Sequence, residues 1–185
     1  MGFTTRTGDI FEFNLQQSYD HPHQDFNLAD TVIVKAGKYN MHAVEVQLVS
    51  YPGRKLYGSV LYSRGVFYGG HKLTISGSAG INFSKHFNLT LDYTGNHVTL
   101  SQAVFTTHEL SGNFLYAVSN RWENSLFIQW NSEADIVLFN FRLHIIPKIG
   151  SDFYLVLTQG FNHNLKWINS NQTTGITKLV YRIAI

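Results

Sequence analysis

Apolar and polar residues alternate with a period of two along nearly the whole chain, the pattern of half-buried β-strands rather than of helices. Phe11, Phe13 and Leu15 alternate with Glu12, Asn14 and Gln16. Val44, Val46 and Leu48 alternate with Glu45 and Gln47, and Leu56, Val60 and Tyr62 with Tyr57 and Ser59. Leu73, Ile75, Ala79 and Ile81 are set against Lys72, Thr74, Ser76 and Ser78, and Phe87, Leu89, Leu91 and Tyr93 against Asn88, Thr90 and Asp92. Leu110, Phe114, Tyr116 and Val118 face away from Glu109, Ser111 and Asn113, as Leu126, Ile128 and Trp130 do from Ser125 and Gln129. Val137, Phe139, Phe141 and Leu143 oppose Asn140, Arg142 and His144, and Phe153, Leu155 and Leu157 oppose Tyr154 and Thr158. The last ten residues set Leu179, Tyr181, Ile183 and Ile185 against Lys178, Val180, Arg182 and Ala184. The pattern predicts an all-β, antiparallel meander of about ten amphipathic strands, each near the ~10 residues of a membrane-crossing β-strand.

The links predict two different rims. "YPGRK", "FSKHF", "SNRWE" and "KIGSD" read as tight turns, rich in Gly, Asn, Ser, Lys and Arg. Between them fall longer or more variable links, notably residues 20–40 and 161–175. Short turns on one rim and longer loops on the other suit an outer-membrane barrel. Counted back from the end, the last strand runs toward the short-turn rim, which puts the C-terminus on the periplasmic side.

Alternation alone does not separate a protein core from lipid. Within the strands just drawn, Glu12, Glu45, Lys72, Asp92, Glu109, Arg142, Lys178 and Arg182 all fall on the polar face and no charge falls on the apolar one. These are the lumen-facing candidates, since an Arg or Lys facing lipid at mid-bilayer costs roughly 2–4 kcal/mol. Large aromatics on the apolar face sit at the ends of the drawn strands. Phe83, Phe87, Trp122 and Phe153 lie beside the short turns, and Tyr62, Tyr93, Trp130, Phe139 and Phe161 toward the longer links. Two aromatic belts around an aliphatic band are what the two membrane interfaces select.

Composition bounds the rest. In 185 residues the net charge is +2, which provides no basic surface for nucleic acid. Charged residues are only 14%, low for a water-facing surface, while aromatics reach 15%. With Cys at 0, disulfides and thiolate metal sites are excluded. No run approaches the roughly 18 apolar residues of a membrane helix. "MGFTTRTGDIF" lacks the basic and apolar regions of a signal peptide. The same strand pattern also suits a second fold, a soluble β-barrel or sandwich that binds a small apolar ligand or glycan.

Several stretches resemble one family. "AGKY", "GVFYGGHK", "FTTHELSGNFLYAVS", "IQWNSEADI" and "GSDFYLVLTQG" follow, in order, a pattern similar to the barrel region of outer-membrane proteins of unknown function. Those proteins carry an N-terminal family-9-like carbohydrate-binding module. The resemblance implies one barrel segment over residues 1–185, the C-terminal part of a longer protein, located in the bacterial outer membrane. It implies outer-membrane lipid and the barrel-assembly machinery as partners, and carbohydrate only through the absent module. Tyr181, Ile183 and Ile185 resemble the C-terminal insertion signal of such barrels, although a terminal aromatic is more usual than Ile185.

Little in the chain suggests chemistry of its own. "DHPHQD" brings His21 and His23 near Asp20 and Asp25, a set that suits a divalent ion or simply a polar loop. Glu45, Asp92 and Glu109 are carboxylates on the polar face, and glycoside hydrolysis needs two of them ~5–10 Å apart. "FYGG" and "SGSAG" lack the spacing of a phosphate loop. Trp167, in "NHNLKWINSN", is an exposed-loop aromatic that suits packing or a sugar ring. No catalytic constellation, metal site or cofactor is predicted for this segment.

Overall fold

A computed structural model describes residues 1–29, 32–162 and 170–180. Thirteen strands form: β1 (Gly2–Thr4), β2 (Ile10–Asp20), β3 (Phe26–Ala29), β4 (Val32–Val34), β5 (Tyr39–Val49), β6 (Leu56–Phe67), β7 (Gly70–Ser84), β8 (Phe87–Thr99), β9 (Val104–Ser119), β10 (Trp122–Asn131), β11 (Ile136–Lys148), β12 (Ser151–Asn162) and β13 (Ser170–Val180). Eleven make one antiparallel sheet in the order β1-β2-β5-β6-β7-β8-β9-β10-β11-β12-β13, and β3 and β4 pair separately. Every step in the large sheet joins chain neighbours except β2 to β5, where the β3–β4 hairpin intervenes. The ten strands read from the alternation are β2 and β5–β13. The short β1 is an addition, held by Gly2↔Glu12, Phe3↔Phe11 and Thr4↔Ile10.

Two compact units divide the described residues, and the division cuts across β7, β8 and β9. The first holds β1–β5, nearly all of β6, the start of β7, the end of β8 and the start of β9. The second holds the remainder of β7–β9 with β10–β13.

The links differ from expectation. Lys85–His86, Asn120–Arg121 and Ile149–Gly150 are two-residue turns, as their residues suggest. The opposite rim, however, also carries a two-residue turn, Tyr68–Gly69, and two links of only four residues, 100–103 and 132–135. Its long link, residues 21–38, is not plain loop, because it contains the β3–β4 hairpin. The loop over 161–175 is entered by β12 and left by β13, and residues 163–169 between them, with Trp167, lie outside the described residues.

Candidate functional site: two faces that exchange character

In the first unit the register fixes which side chains share a face. Phe11↔Leu48, Phe13↔Val46 and Leu15↔Val44 pair on the apolar face, and Val46↔Tyr62 and Leu48↔Val60 continue it. These side chains are not covered: Leu15 is 76% exposed and Val60 55%. The polar face carries Glu12↔Gln47, Asn14↔Glu45 and Glu45↔Ser63. Side-chain hydrogen bonds extend it, Ser59 to Ser78 at 2.9 Å, Ser76 to Thr94 at 3.0 Å, and Thr74 donating to Asn96 at 2.8 Å.

Toward the rim of the hairpin the two faces exchange character. On the apolar side, Leu15 is followed two residues on by Gln17, which pairs with His42, and Tyr19 pairs with Asn40. Tyr62 is followed by Arg64, which pairs with Val44. Tyr93 is followed by Gly95, His97 and Thr99 on the same side of β8, with the His97 ring bonded to Thr106 at 2.9 Å. The expected freedom of the apolar face from charge therefore ends at Arg64. Tyr62 and Tyr93 also lie at mid-strand rather than at strand ends, because β6 and β8 run on to Phe67 and Thr99.

On the polar side of those same strand ends the residues become apolar and buried. Val98 is 3% exposed between exposed His97 and Thr99. Val32, Val98 and Leu100 form one cluster, with Leu28, Ala29, Phe67, Tyr68, Ala103 and Phe105 packed on it. Val32, Val34, Val98 and Leu100 are the buried hydrophobics among the described residues, and the six around the cluster are partly buried. The core thus lies where the β3–β4 hairpin seats on the ends of β6, β8 and β9.

Polar contacts fasten the hairpin and its flanks. The Tyr68 hydroxyl donates to Asp20 at 2.6 Å, and Gln102 donates to the Ile33 carbonyl at 2.6 Å. Lys35 pairs with Asp25 at 2.8 Å, and the Ala36 N–H donates to the other Asp25 oxygen. The Tyr68 ring meets Phe26, Tyr39 and Phe67 edge-on at 5.5, 5.1 and 4.8 Å. Tyr68 also holds a φ of 43°, and Gly69 one of 81°. A two-residue hairpin turn of this hand favours Asn or Gly at its first position, so a tyrosine there is held against backbone preference by its contacts. Its phenol is pushed up to about 12, chiefly by the bond to Asp20 and then by burial.

A shallow recess of about 200 Å³ lies on the polar face of this unit, lined by Gln16, Met41, Ser63, Phe67 and Lys72 among others. Its floor follows from small residues, since Ala43 and Gly65 pair between Gln16 and β7. A Cβ at Gly65 would overlap the His42 carbonyl. The charges around the recess find partners within the face. Lys72 sits 5.3 Å above the Phe67 ring, and Glu45 accepts from Gln16 at 3.0 Å and Asn14 at 3.5 Å.

In the second unit the apolar face runs through the middle of the strands and is broken by Asn124, Gln159, Thr173 and Thr177, which pair on the same side. On the apolar face Leu126 pairs with Phe114 and Phe141, Ile128 with Gly112 and Phe139, and Leu143 and Phe141 with Leu155 and Leu157. Trp122 and Trp130 bound nine residues of β10 and share one side of it with Asn124, Leu126 and Ile128. Phe83 and Phe87 meet at 5.2 Å at one rim, and Phe139 and Phe161 edge-on at 5.6 Å toward the other. Phe153 pairs with Ile145 and Leu179 beside the first of these rims. On the polar face Glu109 pairs with Asn131, Arg142 with Ser125 and Val156, and Lys178 with Tyr154. Asp92 takes the same side of β8 as Asn88 and Thr90, and Arg142 donates to Asn140 at 3.0 Å. His144 stacks on Tyr154 at 4.2 Å and lies 3.0 Å from the Asp152 carboxylate.

The rings of His21 and His23 are 4.7 Å apart, but Asp20 is taken by Tyr68 and Asp25 by Lys35 and Ala36. Among the described residues no three metal-capable side chains gather. Tyr181, Arg182, Ile183 and Ile185 lie outside the described residues. No family model matches the chain, and no curated protein or solved structure is significantly similar to it.

Proposed function

We propose that this chain is an outer-membrane β-barrel segment that anchors a carbohydrate-handling protein, with its apolar face in lipid and its polar face along a solvated interior. The observation that carries the reading is the exchange of faces along β2, β5 and β6. An apolar outer face that stops at Tyr62, beyond which Gln17, His42 and Arg64 face the same way, is what a strand requires when it leaves the bilayer for water. Above that level the chain buries Val98 and Leu100 under its own hairpin, as any water-bathed protein does. Below it, Leu15, Val60, Leu91, Leu110 and Leu157 stay exposed, far more apolar surface than a monomer in water leaves open. The nine-residue span from Trp122 to Trp130 matches the 9–11 residues of a tilted transmembrane strand.

The reading puts the hairpin rim outside and the short-turn rim on the periplasmic side. The polar face offers passage to solutes and no catalytic chemistry. The anchoring role rests on the resemblance to barrels that carry a carbohydrate-binding module. Refolding into lipid vesicles, read by heat-modifiable gel mobility beside sedimentation in plain buffer, tests the reading. A mobility shift that needs lipid or detergent supports it. A compact monomer in buffer alone would overturn it and make the chain a soluble barrel or sandwich.

A further inference from the structure

We propose that the β3–β4 hairpin is a strap that closes the polar face at the hairpin rim, so that movement of solute along that face requires its release. The inference rests on the membrane reading above and deepens it. Three independent observations carry it.

The first is where the hairpin sits. Phe67, Val98 and Phe105 occupy positions on their strands that continue the polar side, in step with Ser63, Asn96 and Thr107. A hairpin packed on them lies over the polar face and not beside it. The second is how it is held. Its contacts with the strands are apolar at the centre, through Val32, Val98 and Leu100, and polar at the margin, through Gln102 to Ile33, while Lys35 and Asp25 close its own base. The third is the strained turn. Tyr68 accepts a positive φ and meets Phe26 of the hairpin, Tyr39, Phe67 and the Asp20 carboxylate at once. Strain retained at one residue that joins a hairpin to the strand ends beneath it marks a latch.

The buried surface involved is small, a few side chains in all, and the hairpin pairs its strands with each other and not with the eleven-strand sheet. Its opening is therefore a local event that leaves the eleven-strand ladder intact. Phe67 ties the strap to the recess below, because the same ring that packs on the hairpin cluster carries the Lys72 ammonium over its face.

The absence of cysteine makes the test direct. A single thiol is introduced by Val98→Cys, and alkylation is followed in the refolded full chain with and without Val32→Asp, alongside solute efflux from vesicles. The strap predicts slow alkylation in V98C alone, a rise on the order of tenfold or more with V32D, which corresponds to about 1.4 kcal/mol of lost closure, and faster efflux. Where V32D fails to fold, Gln102→Ala, which removes the hydrogen bond to the Ile33 carbonyl of the hairpin, replaces it. Equal alkylation in latched and unlatched chains, or a freed thiol with unchanged efflux, overturns the strap. Failure of the parent chain to insert overturns the membrane reading instead, and protection of the V98C thiol in detergent then still decides whether the hairpin covers that face.

Discussion

The phenol oxygen of Tyr93 and Nδ1 of His108 lie 2.8 Å apart across β8 and β9, and their rings are stacked at 6.1 Å. Below this pair the same side of the two strands carries Leu91, Leu89 and Leu110; above it come His97, Thr99 and Thr106. A tyrosine has an apolar ring and one polar tip, so it suits the level where an apolar environment gives way to water. On the membrane reading proposed above, the pair marks the boundary at which both strands pass from lipid to water.

That boundary predicts opposite outcomes for one kind of substitution. Leu157→Arg, in the middle of the β12 apolar span, is expected to cost roughly 2–4 kcal/mol of stability in lipid vesicles. Thr106→Arg, above the boundary on the same side, is expected to change it by no more than about 0.5 kcal/mol, as at an ordinary surface site. Urea titration of the refolded chains measures both. A neutral L157R, exposed as Leu157 already is, would mean that water and not lipid bathes that face.

Leu100→Ala removes a buried side chain from the hairpin cluster and is expected to cost about 2–5 kcal/mol locally. The loss should appear as faster amide exchange in β3 and β4, with protection in β10–β12 unchanged. Exchange that accelerates uniformly would show that the hairpin and the sheet open as one unit.

The Tyr68 latch carries an alkaline pH dependence. Its phenol is raised from an ordinary value near 10 to about 12, because the neutral hydroxyl is the donor to Asp20 and ionisation would oppose two negative charges. A group raised on folding stabilises fully below its unfolded value and loses that contribution as pH climbs through the folded one. The hairpin should therefore loosen between about pH 10 and 12, read by thiol alkylation of V98C, and Y68F should abolish that step.

An acid limb is expected from Asp25. The Lys35 ammonium, and then the Ala36 N–H, hold its carboxyl below the usual range. A lowered carboxylate contributes above its unfolded value and is lost as pH falls through the folded one. The pair is largely exposed, so the effect is small and shrinks with salt. Asp25→Asn should remove the acid dependence of hairpin protection while leaving the alkaline step in place.

Gly65→Val tests the close approach of β5 and β6. An added Cβ meets the His42 carbonyl and Ala43, both on the partner strand. Backbone cannot yield as a flexible side chain can, so the terminal pair Ala43↔Gly65 should be lost and that end of the β5–β6 ladder should fray. Hydrogen exchange over residues 43–45 and 63–65 measures this, and unchanged protection there would refute it.

The alternation of side chains determined that this chain is an all-β meander and which residues share each face, because a strand's period of two follows from local backbone geometry alone. Glu12 and Glu45, or Arg142 and Lys178, fall on the polar face by counting, whatever the register. The two-residue turns at 85–86, 120–121 and 149–150 were likewise written in their residues. The exchange of faces was present in "HVTL", where His97 and Thr99 alternate with Val98 and Leu100, but its meaning was not. Alternation says only that two sides differ, and not what covers either. That Val98 is buried while Leu15 stays bare was decided by the hairpin, whose strands lie some sixty-five positions away in sequence from the residue they cover. The same long-range packing lets Tyr68 occupy a turn position that local preference gives to Asn or Gly, since contacts with Asp20, Phe26 and Tyr39 outweigh a backbone cost of about 1–3 kcal/mol.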